Sequence, residues 1–445
     1  METERKIPKR IAGTVINSLK GGVVPRIGLP YITVGRKSEI DALLHDVEII
    51  EDGGASFRFI EGKYGSGKSF LLQTMRTYVM DKNFVVLDAD LSPERRLQGT
   101  KGQGLATYRE LIKNMSTKTR PEGGALSLIL DRWISALESE VSEEKNISDG
   151  DPEFNKVVEE KINSAVKEME DLVHGFEFAK LLKTYYISTV NDDEGTKSLI
   201  LKWFRGEYNT KSEAKAELGV NLFISDDDWY EYIKLFATFL KKAGYNGMMI
   251  MIDELVNIYK IPNAISRQYN YEKILTMYND TMQGKAKYLG IIMSGTPQCV
   301  EDRRRGIYSY EALRSRLAEG KFSKEGARDM LAPVIHLEPL TPEEMLVLVG
   351  KLADIHGVLY GYENKLSDND LATFIKAEYD RVGADSHITP REIIRDFIEL
   401  LDILYQHPEK KISELLTGEE FAFSTPSINN EDGNSKGKEF AEFTI

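Results

Sequence analysis

The sequence predicts an α/β fold, a parallel sheet flanked by helices, and three observations carry that prediction. Short apolar runs near residues 57–60, 84–87, 248–252 and 289–293 end in glycine or acidic residues, as buried parallel strands do. Strand-like and helix-like patterns alternate around them. A glycine-rich loop at 62–69 joins the first run to an amphipathic helix pattern.

Composition sets the outer limits. The chain has 445 residues, 41% hydrophobic and 29% charged, which is enough to build a core and excludes wholesale disorder. At roughly 150 residues per domain the length suggests two to three domains. The one cysteine, Cys299, excludes a disulfide framework, a Cys-rich zinc finger and an iron–sulfur cluster. The six histidines are scattered, with no HExxH pattern. A net charge of −13 argues against a simple nucleic-acid-coating protein and leaves room for a local basic surface. No apolar run is long enough to span a membrane, and METERKIPKR lacks the apolar stretch of a secretory signal. A soluble, cytoplasmic protein with no membrane contact is expected.

The elements follow in order. Residues 1–30 form a basic segment, with Lys6, Lys9, Arg10, Lys20 and Arg26 and little apolar periodicity through residue 25. The first part of the core, 31–121, opens with a short apolar segment at Tyr31 and a turn at Gly35-Arg36. A helix from about Ser38 carries Ile40, Leu43, Leu44 and Val47 on one face. A strand through Phe57, Phe59 and Ile60 leads into the loop, and a helix runs from Ser69 with Phe70, Leu71 and Met75 apolar. A second strand, NFVVLDAD, precedes the polar, basic loop SPERRLQGTKGQG and a helix near 105–115. Residues 122–244 change character: they are charge-rich and helical, with apolar patches around Trp133, Trp203 and Trp229, and read as a large helical insertion. Strand signals return for the second part of the core, 245–338, in MMIMIDEL and YLGIIMSGTP, with HLEPL strand-like at its end. A helical lid follows at 339–417, opened by Thr341 with Glu344 three residues on. Residues 418–445 are polar and read as a flexible tail.

The loop is Gly62-Lys63-Tyr64-Gly65-Ser66-Gly67-Lys68-Ser69, which satisfies G-x-x-x-x-G-K-[ST] at every fixed position. Its glycines let the backbone wrap a phosphate chain, the helix that begins at Ser69 points its positive end there, and Phe70 is counted with the loop among the nucleotide-binding residues. Lys68 is expected to reach the β- and γ-phosphates of ATP and Ser69 to hold Mg²⁺. The run ending in Asp253-Glu254 supplies the acidic partner: Asp253 for Mg²⁺ and Glu254 as general base for the attacking water, which implies hydrolysis. Asp88 and Asp90 are the rival pair. The Asp253 strand is preferred because it is more fully apolar and its acids are adjacent. A plain crossover needs about 30 residues, so the distance from Lys68 to Asp253 makes 122–244 an insertion within the core.

Other polar residues complete the reading. Ser294 or Thr296, at the end of the fourth strand, can orient the water. Cys299 reads as a buried structural thiol. Arg303, Arg304, Arg305, Arg314 and Arg316 crowd a short span with Tyr308 and Tyr310 interleaved. They suit an arginine finger, with Arg316 the best candidate, a nucleic-acid contact, or a solvated basic face. Arg391, at a helix start after Pro390, can reach a nucleotide from the lid or simply begin a packed helix.

This ordering resembles AAA+ ATPases, particularly the Orc/Cdc6- and DnaA-like initiators and the STAND relatives. Gly35-Arg36 with Glu39 looks like their N-terminal box beside the adenine. Gly62 to Ser69 and Asp253-Glu254 match Walker A and B. Ser294 or Thr296 would be sensor 1, Arg316 the box VII finger and Arg391 sensor 2. More closely, INSLKGGVVPRIGLPYITVGRKSEI, FRFIEGKYGSGKSFLL, VVLDADLSPERRLQGTKGQGLATYREL and TPREIIRDF resemble the BrxC/BrxD-like ATP-binding proteins of BREX phage defence. The resemblance implies a homo-oligomer or a complex with helicase-like and methyltransferase-like defence proteins, with DNA a candidate ligand. Three functions follow. The first is a Mg²⁺-dependent ATPase that remodels DNA or partner complexes. The second is a slow nucleotide-gated scaffold that holds partners through the insertion. The third, a P-loop kinase or nuclease accessory domain, lacks a kinase-type lid and clustered nuclease carboxylates.

Overall fold

The computed structural model describes residues 7–318, 328–381 and 389–417. The chain divides into two compact units, Arg36–Glu338 and the pair Met1–Gly35 with Pro339–Ile445. The tail at 418–445 lies outside the described residues.

Two helices come first, α1 (Lys9–Lys20) and α2 (Leu29–Ile32). The reading of residues 1–25 as lacking apolar periodicity is corrected by α1. Its buried face is Ala12, Val15 and Ile16, flanked by the half-buried Ile11 and Leu19, so apolar residues do recur at helical spacing among the basic ones. The apolar segment expected at Tyr31 is the short helix α2.

The larger unit begins with α3 (Lys37–Glu51), β1 (Ala55–Glu61), α4 (Lys68–Asp81) and β2 (Val85–Asp90). Then come α5 (Gln103–Lys113), α6 (Leu126–Lys145), α7 (Phe154–Glu170), α8 (Gly175–Val190), α9 (Glu194–Phe204), α10 (Lys211–Leu218) and α11 (Trp229–Lys242). The sheet resumes with β3 (Met248–Asp253), followed by α12 (Val256–Tyr259), α13 (Ala264–Met282) and β4 (Leu289–Gly295). The unit ends with α14 (Pro297–Glu301), α15 (Glu311–Leu317) and β5 (Val334–His336).

The five strands lie in the order β2-β3-β4-β1-β5, and every pairing is parallel. Both faces are covered, which is why the strands read as continuous apolar runs. Successive residues nevertheless serve opposite layers. Met248, Ile250 and Ile252 join Val85, Leu87, Ile291 and Met293 in the core beneath α5, α6, α11 and α13. Met249 and Met251 join Val86, Ile292 and Ile335 beneath α3 and α4. Full burial of each such side chain is worth about 1.5–3 kcal/mol. Helices α6 to α11 share the first of these cores, with Trp133, Trp203 and Trp229 buried in it. The indole N–H groups of Trp203 and Trp229 donate to the carbonyls of Leu222 and Leu97. The basic loop after β2 is pinned by Asn270, whose side chain accepts from the Leu97 and Gln98 amides and donates to the Gln98 carbonyl.

The strand expected in HLEPL begins earlier. It pairs Val334, Ile335 and His336 with Phe59, Ile60 and Glu61. The ladder stops there because β1 gives way to the glycine loop, leaving only the Leu337 amide bonded to the Glu61 carbonyl.

The last helices are α16 (Pro342–Tyr360), α17 (Asp368–Arg381), α18 (Pro390–Gln406) and α19 (Ile412–Thr417). In the smaller unit α1 packs on α16 and α18. Capping boxes Thr341/Glu344 and Thr389/Glu392 start α16 and α18.

Candidate functional site

Parallel strands present their carboxyl ends, and the loops that follow them, along one edge of the sheet. The loop between β1 and α4 lies there. Gly67 precedes α4 at φ 94, in the left-handed region that favours glycine. A Cβ on Gly62 would fall 2.4 Å from Ser66 Oγ, so the loop closes only with glycine there. Lys68 Nζ donates to the Gly62 and Lys63 carbonyls at 2.9 and 3.0 Å. Lys63 and Tyr64 are exposed, Gly65, Lys68, Ser69 and Phe70 half-buried, and Ser66 buried. Ser66 Oγ has no hydrogen-bond partner among the described residues.

Ser69 lies in the first turn of α4 beside the end of β3, and its Oγ donates to Asp253 Oδ2 at 2.7 Å. The other Asp253 oxygen accepts from the Glu254 amide at 2.7 Å and from the buried Ser294 hydroxyl. Thr296 is turned elsewhere, with its Oγ1 3.1 Å from Cys299 Sγ. The two candidates at the end of β4 are thus distinguished: Ser294 touches the acid and Thr296 touches the thiol.

Asp88 and Asp90 also differ from each other. Asp88 accepts from Arg76 Nε of α4 at 3.1 Å, and Arg76 also donates to Ser116 and to the Pro121 carbonyl. This ties Asp88 into the packing between α4 and β2. Asp90 stands opposite Asp253 in the ladder. Burial first, then Asp253 and Asp88, push its carboxyl above the usual range. Glu254 is likewise pushed up, by burial first and then by Asp253 and Asp90, with Lys68 and Lys260 opposing. Its backbone sits at φ 63, an uncommon conformation for a residue with a Cβ.

Arg36 is buried. Its Nη2 donates to the Ser66 carbonyl at 2.9 Å, and its Nη1 lies 3.5 Å from Glu39. Gly35, at φ 70, lies against the Glu344 carboxyl. Arg316 is exposed on α15 and braced by Asn279 Oδ1 at 3.2 Å and the Ala312 carbonyl. Arg391 is exposed in the first turn of α18, near Gly22. Of the basic cluster, Arg303, Arg304 and Arg305 are all exposed, and Arg305 lies over the Tyr259 ring at 5.4 Å. Tyr308 is partly buried, its hydroxyl on the Leu317 carbonyl.

One grouping escaped the sequence. Glu61, Glu301 and His336 each offer a ligand atom, all within 4.8 Å of one another. They come from three separate segments with no short spacing to reveal them.

No helix among the described residues is long and apolar enough to cross a membrane. A 123-residue stretch is 28% identical to Toxin A of Clostridium novyi. The match covers 26% of this chain and only 6% of that protein's length, so it carries no more than local similarity. The family model described as "BREX system ATP-binding protein BrxC/D" matches residues 7–420, nearly the whole chain, and the chain belongs to that family.

Proposed function

We propose that this protein is a Mg²⁺-dependent AAA+-type ATPase of BREX defence, with a P-loop core, a helical insertion at 122–244 and a lid at 339–417. Its turnover would drive remodelling of DNA or partner complexes. The observation that carries the reading is the 2.7 Å hydrogen bond from Ser69 to Asp253. It joins the last residue of the phosphate-loop motif to the acid that ends β3. A hydroxyl and a carboxylate form the oxygen-only donor set that Mg²⁺ favours. The orphan Ser66 hydroxyl and the amides of the glycine loop fit a phosphate chain.

In this reading Lys68 leaves the Gly62 and Lys63 carbonyls for the phosphates, and Ser69 and Asp253 hold the ion. Bound Mg²⁺ supplies positive charge to the phosphate oxygens. Glu254 takes the proton of the attacking water, and its upward-shifted carboxyl is better matched to that task near neutral pH. Ser294 orients Asp253 through its hydroxyl. Arg316, exposed on α15, serves a neighbouring copy's γ-phosphate, and Arg391 acts from the lid. The exposed Arg303, Arg304 and Arg305 are the surface for a nucleic-acid backbone. The partners are the defence-system proteins that accompany such ATPases in the cytoplasm.

The test is phosphate release from ATP across a range of protein concentrations, with and without duplex DNA. Mass is measured in the ATP-bound state. Turnover per chain is expected to rise with concentration and to fall about 10³-fold in Arg316→Ala. Concentration-independent turnover would remove Arg316 from the mechanism. Tightly held nucleotide with no turnover would favour the gated scaffold.

A further inference from the structure

The geometry points to a second ion site, separate from Ser69 and Asp253, in which Glu61, His336 and Glu301 bind a divalent transition-metal ion of the Mn²⁺ or Zn²⁺ kind. Three independent segments build it. Glu61 ends β1, His336 ends β5, and the two are direct partners across the parallel ladder. Glu301 ends α14, which starts just after β4, and β4 flanks β1 on its other side. One ligand atom from each of the three residues lies within 4.8 Å of the other two.

The buried carboxyl supplies the second argument. Glu61 is 3% exposed, and its Oε2 has no hydrogen-bond partner among the described residues. Its other oxygen lies 3.4 Å from His336 Nδ1. A carboxylate oxygen taken from water and left without a donor is costly. A cation that the carboxylate binds through both oxygens removes that cost. Ligands about 2.0–2.2 Å from a tetrahedral ion lie about 3.4 Å apart, so the Glu61–His336 pair already has ligand spacing. Glu301, exposed at a helix end, has its ligand atom within 4.8 Å of both and needs to move in by at most about 1.4 Å.

The donor set selects the ion. Mg²⁺ and Ca²⁺ take oxygen ligands, so the imidazole disfavours them. The carboxylates disfavour the soft Cu(I), whereas two carboxylates and one imidazole suit Mn²⁺, Fe²⁺ and Zn²⁺. Three protein ligands leave a position for water. Gly62 follows Glu61 directly, and its amide donates to the Gly295 carbonyl at 3.2 Å. An ion here would therefore fasten the ends of β1, β5 and α14 at the root of the phosphate loop. The competing account is a plain ion pair between protonated His336 and Glu61, which would bind no metal.

The experiment uses the full chain, stripped with chelator and kept free of nucleotide. Mn²⁺ is titrated and followed by the loss of its free paramagnetic signal, and Zn²⁺ is titrated against a chromophoric chelator. One saturable site per chain is expected. Its affinity falls at least tenfold in Glu301→Gln and in His336→Gln, and stays within twofold of wild type in Ser69→Ala. Glu301 is exposed, so its variant is expected to keep the wild-type circular dichroism spectrum even if a change at the buried Glu61 disturbs folding. Three results would overturn the site: no saturable binding in the wild type, binding untouched by both the Glu301 and His336 changes, or binding lost in Ser69→Ala. The last would assign the ion to the phosphate loop instead.

Discussion

Glu254 holds a left-handed backbone at φ 63, so replacing it separates the cost of that backbone from the chemistry of the carboxyl. An L-residue in this region costs roughly 1–2 kcal/mol. Glycine removes the cost, and its larger unfolded-state freedom offsets about 0.5–1 kcal/mol of the gain. Glu254→Gln removes the same charge beside Asp253 and Asp90 and keeps the strain. Glu254→Gly should therefore be more stable than Glu254→Gln by about 0.5–1 kcal/mol, while both lose 10²–10⁴-fold in turnover as a missing general base requires. Urea midpoints, read from the fluorescence of the buried Trp133, Trp203 and Trp229, and phosphate release measure the two effects. A pH series adds a sign. The folded-state pKa of Glu254 is raised above the ordinary 4.5, by burial first and then by Asp253 and Asp90. The fold thus loses stability as pH rises through the raised value. Glu254→Gln should exceed wild type in stability above that value, and the gap should close as pH falls toward 4.5. A glycine variant no more stable than the glutamine variant, or turnover surviving in either, would refute the reasoning.

Two further predictions concern the groups around the loop. Ser294→Ala should lower turnover by 10- to 100-fold with little change in ATP affinity, because Ser294 donates to Asp253. Thr296→Ala, which touches only the Cys299 side of the turn, should stay within about twofold; steady-state kinetics on the pair decides which residue serves the acid. Arg36→Ala should destabilise the chain by about 3 kcal/mol in urea unfolding, since it strips a buried Glu39 and the Ser66 carbonyl of a charged donor. Arg328, 3.0 Å from Glu39, keeps the loss at the lower end of the usual range. Nucleotide affinity should weaken in the same variant, and an unchanged affinity would separate Arg36 from the loop's geometry.

The parts of the fold legible in the sequence are those where one segment carries its own signal. MMIMI, ahead of Asp253, is apolar throughout because both faces of β3 are covered. The phosphate loop carries its glycines at fixed spacing, and the capping boxes at Thr341 and Thr389 are local. What stayed hidden depends on register between distant segments. Ser294 could not be chosen over Thr296 until β4 lay beside β3 with Ile252 opposite Met293. The strand β5 spans three residues, below any periodicity, so nothing announced that His336 stands beside Glu61. Helix α1 is a different case: its Ala12, Val15 and Ile16 stand at helical spacing on one buried face, so that face was legible beside the lysines and arginines of the segment.

The strand order also explains why charges accumulate along this edge. With β3, β4, β1 and β5 adjacent, Asp253, Ser294, Glu61 and His336 line up at neighbouring strand ends, with Asp90 opposite Asp253. The carboxyls of Asp90 and Glu254 are pushed up by burial first, and then by their acidic neighbours in this row. Lys68 and Lys260 oppose the shift of Glu254, and Arg95 that of Asp90. Arg36, Arg58 and Arg76 do not relieve it, since Glu39, Asp46 and Asp88 occupy them. Bound cations are the natural counterweight, and the donors sort into two chemistries. Ser69 and Asp253 offer oxygen alone and suit a hard ion that arrives with phosphates. Glu61, Glu301 and His336 add an imidazole and suit a borderline ion bound by the protein itself. Stripping the metal from the second site should loosen β1 and β5 where the phosphate loop begins. Nucleotide affinity would then fall even though no residue of the loop had changed.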